Sequence, residues 1–261
     1  MENKVILVLF DGMRADVPDK CENKFLYNLR DKATYCYKSQ TVIPSVTLPC
    51  HTSLFLSVDP ERHGITNNVW MPQVRPIDSI FDVVAAAGGK CAMVHDWLQL
   101  RDLAKPKSLH FDYYRSFAKK PLEDTVYTEK RMTDVAIDYI KEEDPDFIFI
   151  YYAYSDEAGH KYGWMTDEYI SAISSEVTQL ERLVNEFGDE YHIIITADHG
   201  GHDRTHGTTM PEDMTIPITF LGKSFEAGRE LESCSIKDIA PTVTTLLGIE
   251  PADEWEGKSV V

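Results

Sequence analysis

The chain has 261 residues, 43% hydrophobic and 26% charged, the proportions of an ordinary globular protein and enough for one large α/β domain over residues 1–261. A formal charge of −17 argues against a surface built for nucleic-acid polymers, which concentrate Lys and Arg. No run approaches the roughly 20 apolar residues of a membrane span, so neither membrane insertion nor export is expected. Met1 to Lys4 lacks the basic n-region of a leader, and the five cysteines (Cys21, Cys36, Cys50, Cys91, Cys234) have no metal-type spacing, which fits reduced thiols and a cytoplasmic location.

The elements alternate along the chain. An apolar strand, Val5 to Phe10, ends at Asp11, and a helix is predicted near Lys24 to Lys32. Ser79 to Ala87 reads as a helix stopped by Gly88-Gly89, and Lys90 to Val94 as a strand. Residues 97–124 break the rhythm, with Trp97, Phe111, Tyr113, Tyr114, Phe117, Lys119 and Lys120 but no clear period. This stretch is either a lid or specificity insertion, or an irregular segment packing its rings on the core. Thr128 to Lys141 is helical, with Met132, Val135, Ala136 and Ile140 at helical spacing.

The strand Phe147 to Tyr152 leads to Asp156 and His160, and the amphipathic helix Asp167 to Phe187 stops at Gly188. His192 to Thr196 is a strand leading to Asp198-His199, with His206 beyond it in a Gly-rich loop. Ile216 to Leu221 is a strand, and Ile236 to Leu247 a helix closed by Gly248. The expected fold is therefore α/β, a mostly parallel sheet with helices on both faces. In such sheets ligands bind beyond the carboxyl ends of the strands. Asp and His delivered there from separate strands suit zinc, and in other mixes manganese or iron.

Thr47 stands where a helix should begin, in Ile43-Pro-Ser-Val-Thr-Leu-Pro-Cys-His-Thr-Ser53. It reads as an N-cap with Pro49 in the first turn. The same position also puts a hydroxyl in a positive field suited to phosphate. Asp11-Gly-Met-Arg14, Thr47-Leu-Pro-Cys-His51, Pro60-Glu-Arg-His-Gly-Ile65 with Asn67-Asn68, Asp156-Glu-Ala-Gly-His160, Asp198-His-Gly200 and Asp238-Ile-Ala-Pro-Thr-Val243 follow one another in order. With this ordered set the chain resembles the alkaline phosphatase superfamily, specifically its type I phosphodiesterase/nucleotide pyrophosphatase branch.

The resemblance implies an alkaline-phosphatase-like fold and two divalent metal ions, zinc first and manganese second. Asp11, Thr47, Asp198 and His199 would hold one ion. Asp156, His160 and a third histidine would hold the other; His206 is chosen for its loop, with His202 the alternative. It further implies Thr47 as nucleophile, His51 as a group orienting the metal ligands, and a small-molecule phosphoester as substrate. Cys50 departs from the branch, standing where an Asn amide is often found, and leaves the substrate open. A phosphomonoesterase, a phosphonate hydrolase, a sulfatase of the same fold and an inactive metal-binding module stand as alternatives. The sulfatase is disfavoured because Thr47 and His51 occupy the Cys and Arg places of the Cys-x-Pro-x-Arg segment that sulfatases use.

Overall fold

The computed structural model describes residues 1–73, 75–116 and 123–261. In chain order the strands are β1 (Val5–Phe10), β2 (Thr34–Gln40), β3 (Cys91–His95), β4 (Phe111–Tyr114), β5 (Phe147–Tyr152), β6 (His192–Thr196), β7 (Thr215–Leu221) and β8 (Arg229–Glu230). They form one sheet in the order β4-β3-β5-β1-β6-β7-β2-β8. From β4 to β6 the neighbours are parallel, while β7 runs antiparallel to both β6 and β2. The α/β reading therefore holds, with an antiparallel pair of joints toward one edge.

The central strands are buried along their whole length, which is why they read as unbroken apolar runs. Register then fixes the functional end. Phe10 pairs with Tyr152 of β5, and Leu9 with Thr196 of β6, so three strands finish side by side.

The helices are α1 (Val17–Lys20), α2 (Phe25–Leu29), α3 (Thr47–Leu56), α4 (Pro60–His63), α5 (Ile80–Ala86), α6 (Glu123–Glu143), α7 (Tyr154–Tyr162), α8 (Asp167–Phe187), α9 (Pro211–Met214) and α10 (Ile239–Leu246). α3, α5 and α10 pack together, and α8 packs on α6 and α7. α3 is buried on every side, so it shows no amphipathic stripe. Its Phe55 stacks on Phe81 of α5 and meets Phe149 of β5 edge-on, both at 4.9 Å between ring centroids. Truncating Phe149 to Ala would cost about 3–5 kcal/mol by the usual cavity penalty.

Two sequence expectations change. β2 was not anticipated; its Thr-Tyr-Cys-Tyr-Lys-Ser-Gln alternates buried with less buried positions, the mark of a strand near a sheet edge. Residues 97–124 are also more regular than expected, because β4 adds an edge strand beside β3. Phe111 stacks on Tyr139 of α6 at 4.1 Å, and Trp97 and Tyr113 pack against the core. These rings serve packing. Phe117, Lys119 and Lys120 lie outside the described residues. Among the described residues no helix is long and apolar enough to cross a membrane.

Candidate metal centre

Asp11 follows β1 directly, Asp198 lies two residues past β6, and Asp156 is the third residue of α7, which starts two residues past β5. The turn after β1 must let these meet. Gly12 makes it at φ +67°, where a Cβ would come within 3.1 Å of Asp156 Oδ1. Only glycine fits that turn without strain. Its N–H donates to Asp198 Oδ1 at 3.1 Å, and its carbonyl accepts from Tyr169 Oη at 2.8 Å and Trp164 Nε1 at 2.9 Å. The turn is thus tied to β6 and to the chain beyond α7.

Thr47 is the first residue of α3 rather than its cap, which is the extended Val46. Freed from capping, the Thr47 hydroxyl lies 3.3 Å from His199 Nε2. Asn68 takes the capping task instead, its Oδ1 accepting the Leu48 N–H at 2.9 Å. A loop Asn of this kind reads from sequence as a turn-former.

The histidines share one arrangement. Nδ1 donates to a backbone carbonyl in His199 (Gly200, 2.8 Å), His160 (Arg204, 3.0 Å) and His206 (Ser45, 2.9 Å). A carbonyl can only accept, so each Nδ1 carries the proton and each Nε2 of a neutral ring keeps its lone pair. Burial pushes His199 down to about 4 and His206 down to about 3, the latter helped by His199, so both are neutral at pH 7.

Those lone pairs face carboxylates. His199 Nε2 lies 3.3 Å from both Asp11 Oδ1 and Asp198 Oδ2. His160 Nε2 lies 3.4 Å from Asp156 Oδ2, and His206 Nε2 lies 3.7 Å from Asp156 Oδ1. Asp11 Oδ1, Asp156 Oδ1 and Asp198 Oδ2 are buried with no donor. Burial pushes the Asp11 and Asp156 carboxyls well up, Asp198 adding to both, and burial also raises Asp198. Acceptors aimed at acceptors are unfavourable in a dry site unless a cation lies between them. The donor set fits divalent metal ions, with the proton-bearing Nδ1 atoms fixed by carbonyls as metal-ligating histidines require.

Two compact groups result. Donor atoms of Asp11, Asp198 and His199 lie within 4.8 Å of one another, as do those of Asp156, His199 and His206. His199 thus stands between the groups, stacked on His206 at 3.7 Å. His160 stands at the outer side, its ring 5.0 Å from that of His206. His202 points elsewhere, its Nδ1 2.7 Å from Asp213 Oδ1.

Other singled-out residues have structural partners. The Cys50 thiol is buried toward the Pro44 carbonyl, and burial pushes its pKa up, which suits neither a nucleophile nor a phosphate donor. His51 donates from Nδ1 to the Thr47 carbonyl at 2.8 Å and lies 3.5 Å from Asp198 Oδ2, so it sits under the site. His63 staples its own turn through Ser53 and the Ile65 N–H. His95 pairs with Asp112, and Asp16 pairs with Arg14 and Lys20.

Four supporting residues gave no sequence signal. The Tyr151 hydroxyl donates to Asp11 Oδ2 from a strand position that reads as apolar. Glu129 and Glu176 accept the Tyr154 and Ser155 N–H groups at the start of α7, at 3.2 and 3.0 Å. Asp213, fully buried, accepts from His202 through Oδ1 and from the Thr208 N–H and hydroxyl through Oδ2, so it holds the loop carrying His206 at both ends.

The family described as type I phosphodiesterase / nucleotide pyrophosphatase matches residues 5–210. A 2,3-bisphosphoglycerate-independent phosphoglycerate mutase of Haloquadratum walsbyi is 31% identical over 213 residues, covering 70% of this chain but 40% of that protein. The chain thus spans less than half the length of this curated relative. Murine ectonucleotide pyrophosphatase / phosphodiesterase 5 superposes with a TM-score of 0.80 at 16% identity, covering 98% of each chain. The phosphonate monoester hydrolase of Silicibacter pomeroyi superposes with a TM-score of 0.74 at 15% identity, covering 99% of this chain and 76% of that one. At such identities these two superpositions speak to the fold, which is that of the alkaline phosphatase superfamily.

Proposed function

The chain belongs to the type I phosphodiesterase / nucleotide pyrophosphatase family, and on that premise we propose that it hydrolyses phosphoric diesters with Thr47 as nucleophile and two divalent metal ions, zinc first. Asp11, Thr47, Asp198 and His199 would hold one ion, and Asp156, His160 and His206 the other. The observation that carries this reading is the pair of neutral imidazoles, His199 and His206, whose Nε2 lone pairs face the unpartnered carboxylate oxygens of Asp11, Asp156 and Asp198. When bound, the ions supply positive charge that favours an ionised hydroxyl and offsets the charge of the phosphoryl oxygens.

The chain's own residues do the rest. Thr47 Oγ1 forms a bond to phosphorus as the P–O bond to one alcohol breaks in line, and the hydroxyl proton ends on that alcohol. Water then attacks the phosphothreonine; its oxygen stays on phosphorus and one proton returns to Thr47. Asn68, fixed through Oδ1 beside Thr47, has its amide N–H groups to offer a phosphoryl oxygen. His51 holds the Thr47 carbonyl. A small-molecule phosphoester suits a chain of net charge −17 better than a nucleic-acid polymer does.

The mutase relative favours a second reading, in which phosphothreonine returns its phosphoryl group to another hydroxyl of the same substrate instead of to water. One assay set separates the two: bis-p-nitrophenyl phosphate, p-nitrophenyl phosphate, p-nitrophenyl sulfate and 3-phosphoglycerate, each with zinc or manganese. Fastest turnover of the diester supports the proposal. Isomerisation of phosphoglycerate without diester turnover transfers the assignment to the mutase reading.

A further inference from the structure

Beside α3 a cavity of about 640 Å³ opens between two loops, within the ~300–1,000 Å³ range of small-molecule sites. Leu56 of α3, Ile65, Trp70 and Ile77 from one loop, and Leu103 and Leu109 from the other form apolar walls. Thr52 also lines it, and its hydroxyl donates to the Leu48 carbonyl at 2.7 Å. The cavity therefore begins one helical turn, about 5 Å, from the residue beside Thr47.

A single loop joins cavity to site. Asn68 is tied to the Leu48 N–H, and two residues later Trp70 lines the cavity with 40% of its surface exposed. Val69 and Met71 on either side of Trp70 are exposed as well. Ile43 and Met210 are exposed on two further loops, joined by the Ser45 hydroxyl donating to the Thr208 carbonyl.

All the charged groups on the cavity wall except Lys107 already have partners among the described residues. Asp82 accepts from the Ser79 N–H and hydroxyl, the Lys105 N–H and the Ser108 hydroxyl. Lys105 pairs with Asp78, Asp112 with His95, and Arg101 with Asp102. Apart from Lys107, what the wall offers a ligand is apolar surface.

We propose that this cavity receives a bulky apolar organic group, aryl or alkyl, carried on the ester oxygen that stays attached to phosphorus. The inference rests on the phosphodiester reading above. In-line displacement sends the leaving oxygen away from Thr47, so a substituent reaching back along α3 is the retained one. Burial of an aromatic group in such a site favours the larger substituent by about tenfold or more.

Two esters sharing the p-nitrophenolate leaving group test it: 2-naphthyl p-nitrophenyl phosphate and methyl p-nitrophenyl phosphate, on the zinc-loaded protein. The kcat/KM ratio is expected to favour the naphthyl ester by roughly tenfold. Trp70→Ala, and Ala104→Trp at a residue that also lines the cavity and would fill it, should each bring that ratio toward one. Calorimetry with 2-naphthyl methylphosphonate against methyl methylphosphonate reads binding without turnover. Tight naphthyl binding that depends on Trp70, with neither ester turned over, supports the cavity while sinking the phosphodiester reading. A ratio near one together with equal binding of the two phosphonates overturns the inference.

Discussion

The two halves of the candidate metal centre are built differently. Asp11 and Asp198 leave the ends of central strands, and His199, wholly buried, follows directly. Asp156 and His160 ride on a helix and His206 on a loop, with the His160 side chain 43% exposed. Sheet register positions the carboxylates of the first half, with the Tyr151 hydroxyl donating to Asp11 and the Gly12 N–H to Asp198. The second half depends on buried acids that tether its carriers, Glu129 and Glu176 on α7 and Asp213 on the loop. A site can thus join a half set by the fold's core to a half set by local bracing, and the halves should fail separately.

The largest expected effect is Thr47→Ala. Loss of the nucleophile should lower kcat on diesters by roughly 10³-fold or more, with the secondary structure unchanged by circular dichroism. Metal analysis of the same variant sharpens the comparison, because the Asp156, His160 and His206 half should keep its ion. Near-normal turnover would remove Thr47 from the mechanism.

Next in size is the brace. Asp213→Ala removes three side-chain hydrogen bonds from the loop carrying His206. By the usual cost of disturbing groups that orient metal ligands, one ion should bind about 10–100-fold more weakly. The other should be nearly unaffected. Chelator titration of the unmodified protein should already release the ions in two steps, the half containing exposed His160 first. Release in one step, unchanged by Asp213→Ala, would break the distinction between the halves.

The same division describes what the sequence disclosed. Asp11 and Asp198 were legible because a long apolar run preceding an acid marks a strand end at the functional edge of the sheet. The αβ alternation and the helix over Asp167–Phe187 were legible from period and caps. The braces were not. Glu129 sits amid Thr-Glu-Lys-Arg, and Glu176 follows two serines, so each reads as a solvated helix charge; both are in fact fully buried. Tyr151 likewise reads as apolar until its hydroxyl meets Asp11. Short β4 and near-edge β2 escaped because four to seven half-buried residues carry little periodic signal.

The smallest and most conditional effect is that of pH on the bracing acids. Burial pushes the Glu176 carboxyl up to about 8 and raises Glu129, with Glu176 adding to the latter. A carboxyl held above its usual value of 4.5 binds its proton more tightly in the folded chain than in the unfolded one. Its contribution to stability is therefore full below about 4.5, declines as pH rises, and is lost by about 8. Each pH unit between those limits is worth about 1.4 kcal/mol for an isolated group. Glu176→Gln keeps the oxygen that accepts the Ser155 N–H but cannot ionise. Urea unfolding of the apoprotein between pH 5.5 and 8.5 should show the midpoint falling in the parent and a flatter profile in the variant. If both profiles fall in parallel, Glu176 holds no proton in the folded chain, and α7 is tethered by an ordinary carboxylate.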